Sequence, residues 1–356
     1  MSKTLIKGAN VVNEGQTASL DVLIVGERIA AVAANLTATP EMEVIDASGK
    51  FLLPGCIDDQ VHFREPGLTH KANIGTESKA CLAGGITSFL EMPNTNPQTT
   101  TAKAYRDKLD IAALTSWANY GFLFGGTNDN LDEIKALDPK KTPGLKLFLG
   151  SSTGNMLVDD PNTLKEIFSA FRLPIAVHCE DEQTIRANLV DYVKKFGDDI
   201  PMVHHPDIRS EEACFLSSSK AIALAKETGA RLHVFHLSTA RETALFQNDV
   251  PLVEKQITSE VCIHHLWFSD DDYAHKGTHI KWNPAVKSVA DRESLWEALN
   301  DDRIDIIATD HAPHTLEEKN QVYTKAPSGG PMVQHALAVM LECVNQGKIS
   351  LEKVVE

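Results

Sequence analysis

Eight short apolar runs, spread over residues 55–310 and separated by longer segments of helical composition, restrict this 356-residue chain more than any other feature. They are GCIDDQVHF (55–63), ITSFLEM (86–92), NYGFLF (119–124), GLKLFL (144–149), PIAVH (174–178), RLHVFH (231–236), ITSEVC (257–262) and IDIIATD (304–310). Such a βαβα rhythm implies parallel strands. Eight strand–helix units over roughly 250 residues match a (β/α)8 TIM barrel in number and length. A doubly wound open sheet is the alternative. The expected fold class is therefore α/β, a TIM barrel over 54–356 preceded by a small β domain over 1–53. That domain shows in LIKGANVV, DVLIVGERIAAVAAN and EVIDASGKFLL, short strands with Gly26-Glu27 at a hairpin position.

Apolar residues at 42% and charged residues at 23% describe a core-forming globular chain, which excludes disorder and a collagen-like repeat. A formal charge of −15 gives a phosphate backbone or an anionic membrane surface nothing to attract. No nucleic-acid or membrane partner is expected. The longest uncharged stretch, 111–128, holds Ser, Thr, Tyr, Asn and three Gly and is no membrane span. The start, MSKTLIKGANVV, lacks the basic segment and long apolar core of a secretory signal, which predicts a cytoplasmic location. Six scattered cysteines without a CxxC pair predict buried thiols, not disulfides or a Cys-rich zinc site.

Polar residues gather where a barrel of this kind places its active site, at the carboxyl ends of the strands. The first run ends in His62 with Arg64 behind it, and the second leads into Asn94. The fourth carries Lys146, the fifth ends in His178, the sixth in His236 and the eighth in Asp310. Each has an ordinary explanation alone: a hydrogen-bonded core histidine, a snorkelling lysine, a helix-capping aspartate, a turn asparagine between Pro93 and Pro97. As a set, three histidines, a lysine and an aspartate on five strands converge on one barrel mouth. That convergence points to a metal site.

The motifs PGCIDDQVHFREPG, EMPNTNP, GLKLF, VHCED, FHLSTA, EVCIHHL, KWNP and ATDHAPH, in this order along the chain, resemble the dihydroorotases of the cyclic amidohydrolase superfamily. The resemblance implies two metal ions, usually zinc, in the barrel mouth. It also implies reversible hydrolysis of the ring amide of dihydroorotate to N-carbamoyl-L-aspartate, in pyrimidine biosynthesis. By the same resemblance His62 is a first-strand ligand, and Lys146, once carbamylated, bridges the metals. His178 and His236 hold the second metal, and Asp310 is the last ligand and the catalytic proton shuttle. Arg64, Asn94 and His314 would grip the substrate carboxylate, and Asn283 would bind the ring. Elementary chemistry agrees. A carbamate reverses the sign of an ammonium that two cations would repel, a carboxylate serves proton transfer in both directions, and the arginine fork matches a carboxylate. His311 is expected just behind the ligands, whereas His204, His205, His233, His264, His265, His279 and His335 fall outside the metal pattern.

Two departures from the family pattern stand out. Where the family reads Asp-x-His-x-His, this chain reads Asp58-Asp59-Gln60-Val61-His62. Gln60 takes a ligand's place, facing the metals by strand alternation. Its neutral amide oxygen binds zinc more weakly than imidazole, so one metal position is expected to be weakened. The second departure is a missing stretch that in the family closes the last helices and returns to the small β domain. A truncated barrel and an incomplete small domain are therefore expected, with apolar surface that invites association. A homodimer is the expected assembly, and association with aspartate transcarbamoylase is a further expectation. Two other functions stay open. One is an allantoinase- or hydantoinase-type ring opener, which needs no arginine for a ring carboxylate. The other is a catalytically silent dihydroorotase-like scaffold, against which the retained metal-pattern residues weigh.

Overall fold

All eight apolar runs become strands in the computed structural model, which describes residues 1–150 and 156–356. They are β1 (Cys56–Val61), β2 (Ile86–Glu91), β3 (Asn119–Phe122, resumed at Phe124–Gly125), β4 (Leu145–Phe148), β5 (Ile175–His178), β6 (Leu232–Val234), β7 (Ile257–Cys262) and β8 (Ile306–Ala308). Neighbours in sequence run parallel in space, with registers such as Phe89↔Tyr120, Lys146↔Ala176, His233↔Thr258 and Val261↔Ile307. The Met92 N–H donates to the Val61 carbonyl at 2.9 Å, joining β1 to β2. The cycle closes where Val61 bridges His311 in parallel and the His62 N–H donates to the His311 carbonyl at 2.6 Å. This is a closed (β/α)8 barrel, not an open sheet.

β4 and β5 are buried at every position, because interior side chains cover one face of the sheet and helices the other. Among those helices are Ile74–Ala83, Ala102–Thr115, Pro161–Ala170, Glu211–Thr228 and Val289–Asn300. Each begins at a residue whose side chain accepts the N–H three positions on: Asn73, Thr101, Asp160, Ser210 and Ser288. Gly67 (φ 87°) passes so close to Asn96 that a Cβ would lie 1.9 Å from its carbonyl oxygen, so the crossing of these two loops at the mouth requires glycine. Arg64 (φ 67°), His236 (φ 42°) and Asp310 (φ 45°) hold left-handed backbone. That conformation costs an L-residue about 1–2 kcal/mol, and it persists where surrounding structure fixes a side chain for function. β1 ends at Val61, and the left-handed turn past it aims Arg64.

The barrel unit comprises residues 57–339, and a second unit comprises 1–56 with 340–356. In the second, the strands lie in the order Arg28–Ala33, Gln16–Val25, Lys3–Asn13, Glu43–Asp46, and Phe51–Leu52 also pairs with Lys3–Asn13. Two-residue turns at Glu14-Gly15 and Gly26-Glu27 join the hairpins, with positive φ at Glu14, Gly15 and Gly26. The Asp21 carboxylate ties the sheet edge to its loops, accepting from the Gly8 and Leu36 N–H groups at 2.8 Å each. Residues 340–356 group with this sheet instead of with the barrel, and the boundary falls at 56/57 instead of 53/54. Helix Leu351–Val355 packs on strand Lys3–Asn13, and Thr17 Oγ1 donates to Glu352 at 2.6 Å. Apolar periodicity says that a helix covers a core without saying which core. Five of the six cysteines are buried, Cys56 is half-buried, and none of the six is in a disulfide. No described helix is long and apolar enough to cross a membrane.

Candidate metal centre

Gln60, His62, His178, His236 and Asp310 lie at or just past the carboxyl ends of their strands, Lys146 lies within β4, and all six are buried. Hydrogen-bond partners assign the histidine tautomers. His62 Nδ1 lies 2.8 Å from the Asn94 amide oxygen, which accepts, so Nε2 presents its lone pair; that atom is 3.1 Å from Asp310 Oδ1. His178 Nε2 lies 2.9 Å from the Glu180 carboxylate, leaving Nδ1 as the lone pair, and Nδ1 faces His236 Nε2 at 3.0 Å. Two imidazole nitrogens at that separation share either one proton or one cation. Burial lowers the pKa of all three rings, so they are neutral, as a metal requires.

Lys146 Nζ is buried without a hydrogen-bond partner, over the ring faces of Phe235 (3.9 Å to the centroid) and Phe148 (4.9 Å). An unpaired ammonium in such a place is costly, and burial pushes its pKa down to about 7.

Behind the donors stand residues that sequence reasoning missed. Glu180 pairs with Arg209; burial alone would raise its carboxyl, but Arg209 and His178 bring it down to about 2. Carboxylate–histidine contacts of this kind fix a ligand's ring and raise its basicity. Glu180 follows His178 by two residues in VHCED, a spacing that was legible. Thr309 Oγ1 donates to Asp58 Oδ2 at 2.5 Å, and the Thr309 N–H donates to Oδ1 at 3.2 Å. This straps β1 to the chain one residue before Asp310. On β7, Glu260 accepts from the His236 N–H at 3.2 Å and meets His233 Nε2 at 3.3 Å, while Asp59 lies 3.4 Å from the same nitrogen. Burial alone would lower His233, yet Asp59 and Glu260 lift it to about 9. Gln60 is buried at this mouth, and its Oε1 has Cys262 Sγ as a partner at 3.7 Å.

The expected substrate residues form a chain of contacts, with one exception. Arg64 Nε donates to the Pro313 carbonyl at 3.0 Å, and Nη2 lies 2.9 Å from His314 Nε2. Lys71 Nζ donates to His314 Nδ1 at 3.0 Å, so the ring proton sits on Nε2, which donates to the Ser328 carbonyl at 2.9 Å and is a close neighbour of Arg64 Nη2 without accepting from it. Ser328 Oγ donates to Asn283 Oδ1 at 2.9 Å. Burial, then Arg64 and Lys71, push His314 down to about 3, so its ring is neutral. Burial lowers Arg64 only to about 10, and it stays charged. Lys71 is offset by Glu318 at 3.1 Å, so the positive charge left for a ligand is that of Arg64. The exception is Asn94, whose amide oxygen holds the His62 ring. His311 is turned toward Glu77, 2.6 Å from Nε2, and its Nδ1 accepts from the Met332 N–H at 2.9 Å.

The model of the amidohydrolase family matches residues 51–356. A dihydroorotase of Carboxydothermus hydrogenoformans is 35% identical over 361 residues, 98% of this chain and 80% of its own. One of Halobacterium salinarum is 34% identical over 337 residues, 94% of this chain and 76% of its own. Among solved structures, an L-hydantoinase (dihydropyrimidinase) from Arthrobacter aurescens has a TM-score of 0.94 at 29% identity, covering 100% of this chain and 80% of its own. A dihydropyrimidinase from Brevibacillus agri has a TM-score of 0.88 at 27% identity, covering 99% and 79%. Kinship along nearly the whole chain and the same barrel in solved relatives lead to one conclusion: the chain belongs to the amidohydrolase family, as a hydrolase of cyclic amides.

Proposed function

We propose that the chain is a dihydroorotase, interconverting dihydroorotate and N-carbamoyl-L-aspartate in pyrimidine biosynthesis with zinc as its metal. The observation that carries this reading is the buried, charged Arg64 at 2.9 Å from His314, next to the metal-type donors. A ring carboxylate satisfies that guanidinium bidentately. A hydantoin or a dihydrouracil offers no such group and leaves a buried charge unpaired. The dihydroorotases among the relatives support the same reading.

The donors present fit a pair of divalent ions. His178 Nδ1 and His236 Nε2 would hold one, and His62 Nε2 with Asp310 the other. The orphaned Lys146 amine would join them as a carbamate, formed when Nζ bonds to carbon dioxide and releases a proton. Bound there, the metals supply Lewis acidity to the ring carbonyl and acidify the attacking water. The remaining work falls to side chains of the protein. Arg64 and the His314 Nε2–H orient the substrate by its carboxylate, while Asn94 and Glu180 keep the ligand rings from turning. Asp310 accepts the proton of the attacking water and delivers it to the ring nitrogen as the C–N bond breaks. The ureido nitrogen then departs neutral, as the NH2 of the carbamoyl group, and in ring closure the same carboxylate moves the proton back.

Similarity to hydantoinase structures favours a second reading, the opening of 5-substituted hydantoins. A metal-replete assay of dihydroorotate, a 5-substituted hydantoin and allantoin side by side decides between them. We expect kcat/KM for dihydroorotate to exceed the others by about 100-fold, the range of a charge-assisted hydrogen bond. A preference for hydantoin establishes the second reading, and no turnover of any ring by metal-loaded protein establishes a silent scaffold.

A further inference from the structure

A second group of metal-type donors has no part in that chemistry. β7 ends at Cys262, and the short helix Ile263–Trp267 that follows carries His264 and His265. One donor atom from each of the three lies within 4.8 Å of the other two, and all three residues are buried. His265 Nε2 donates to the Pro284 carbonyl at 3.1 Å, so Nδ1 is a lone pair, and it has no partner. His264 is 0% exposed and stacked on Trp282, with centroids 4.3 Å apart and ring planes 9° from parallel. Neither of its nitrogens has a hydrogen-bond partner of ordinary geometry. The Thr309 backbone is the polar group nearest the ring, so at least one ring nitrogen is left unsatisfied, and leaving a buried polar group so costs about 1–3 kcal/mol. Gln60, the residue that breaks the family pattern, places Oε1 3.7 Å from Cys262 Sγ.

We propose that Cys262, His264, His265 and Gln60 form a metal site of their own for a zinc-class divalent ion, additional to the two positions at His62 and His178. With Zn–S near 2.3 Å and Zn–O near 2.1 Å, sulfur and oxygen on one tetrahedral ion stand about 3.6 Å apart. The observed Gln60–Cys262 separation is 3.7 Å. A sulfur and an imidazole nitrogen on the same ion also stand about 3.6 Å apart and two imidazole nitrogens about 3.3 Å, so from the 4.8 Å bound on Cys262, His264 and His265 a closure of at most about 1.5 Å brings these three onto one ion. Thiolate with imidazole selects zinc-class ions over magnesium or calcium. Burial and the carboxylates of Glu260 and Asp310 favour the protonated thiol. A divalent cation reverses that balance, and the thiol proton leaves as the metal–sulfur bond forms. The ion would tie β1 to β7 across β8, giving Gln60 a role that the two-metal pattern denies it.

X-ray absorption at the zinc edge of the zinc-loaded chain tests the site without any substitution. A sulfur shell at about 2.3 Å is expected, and a shell of nitrogen and oxygen alone overturns the proposal. Cobalt-loaded protein should show a thiolate-to-cobalt charge-transfer band, lost in Cys262→Ser and kept in Cys179→Ser, the latter removing the sulfur beside His178. Persistence of the band in Cys262→Ser, or its loss in Cys179→Ser alone, overturns it too. His264→Ala should lower the metal content by a single ion per chain, and unchanged content contradicts the site. Each readout reports ligands, not turnover, so failure of the dihydroorotase reading leaves these results standing.

Discussion

Arg64 combines two properties that rarely coincide: it is buried, and it stays charged. On the protein the Pro313 carbonyl accepts from its Nε, and the His314 Nε2–H beside its Nη2 accepts nothing, so the charge awaits an anion. Arg64→Met should therefore leave metal content intact while lowering kcat/KM for dihydroorotate by about 10- to 150-fold, the worth of a charge-assisted hydrogen bond. Steady-state rates and metal analysis on the same preparation check this, and loss of metal would make Arg64 a support of the donors instead. Lys146→Ala should abolish turnover, with short carboxylic acids restoring part of it by supplying the missing oxygens; full activity and metal content in that variant would end the carbamate assignment.

Glu180 has a pH signature. Its folded-state pKa is depressed, so its stabilising contribution is present above the ordinary glutamate value near 4.3 and is lost as pH falls through about 2. Urea midpoints of the unaltered protein should drop across that window, and those of Glu180→Gln should drop less. The strand-end ligands were legible in the sequence because the end of an apolar run locates the barrel mouth. The Gln60–Cys262 contact was not, since it joins residues 202 positions apart. Arg209 was equally hidden, because nothing local links it to Glu180.

At the scale of elements, parallel strands were legible because each is a short apolar run bounded by polar segments, and periodicity needs no long-range information. Where a strand stops was not. β1 ends at Val61, and the residues past it adopt loop backbone that aims Arg64, which no apolar run announces. The home of residues 340–356 was also hidden, since an amphipathic helix suits either core. Barrel closure depends on the contact between β1 and the chain after β8, where Thr309 donates twice to the buried Asp58. Thr309→Val removes the hydroxyl bond and keeps the shape. We expect a stability loss of about 1–3 kcal/mol by urea denaturation, together with slower turnover, because Asp310 is the next residue. Unchanged stability would show that the strap is dispensable for closure.

For the molecule as a whole, fold and family agree, and the open question is which ring the mouth accepts. Metal removal should abolish turnover and lower the thermal midpoint, with zinc restoring both, because an ion held only by the folded barrel stabilises it by mass action. Calorimetry before and after chelation checks this, and a chelated protein of full activity would refute the metal assignment. Dihydroorotate and 5,6-dihydrouracil share one ring and differ only in the carboxylate, so the ratio of their kcat/KM values reads the cationic pocket directly. The predicted ratio is about 100 or more for the unaltered chain, falling to within about tenfold in Arg64→Met at unchanged metal content. Equal kcat/KM for the two rings, or an undiminished preference in the variant, would contradict the account.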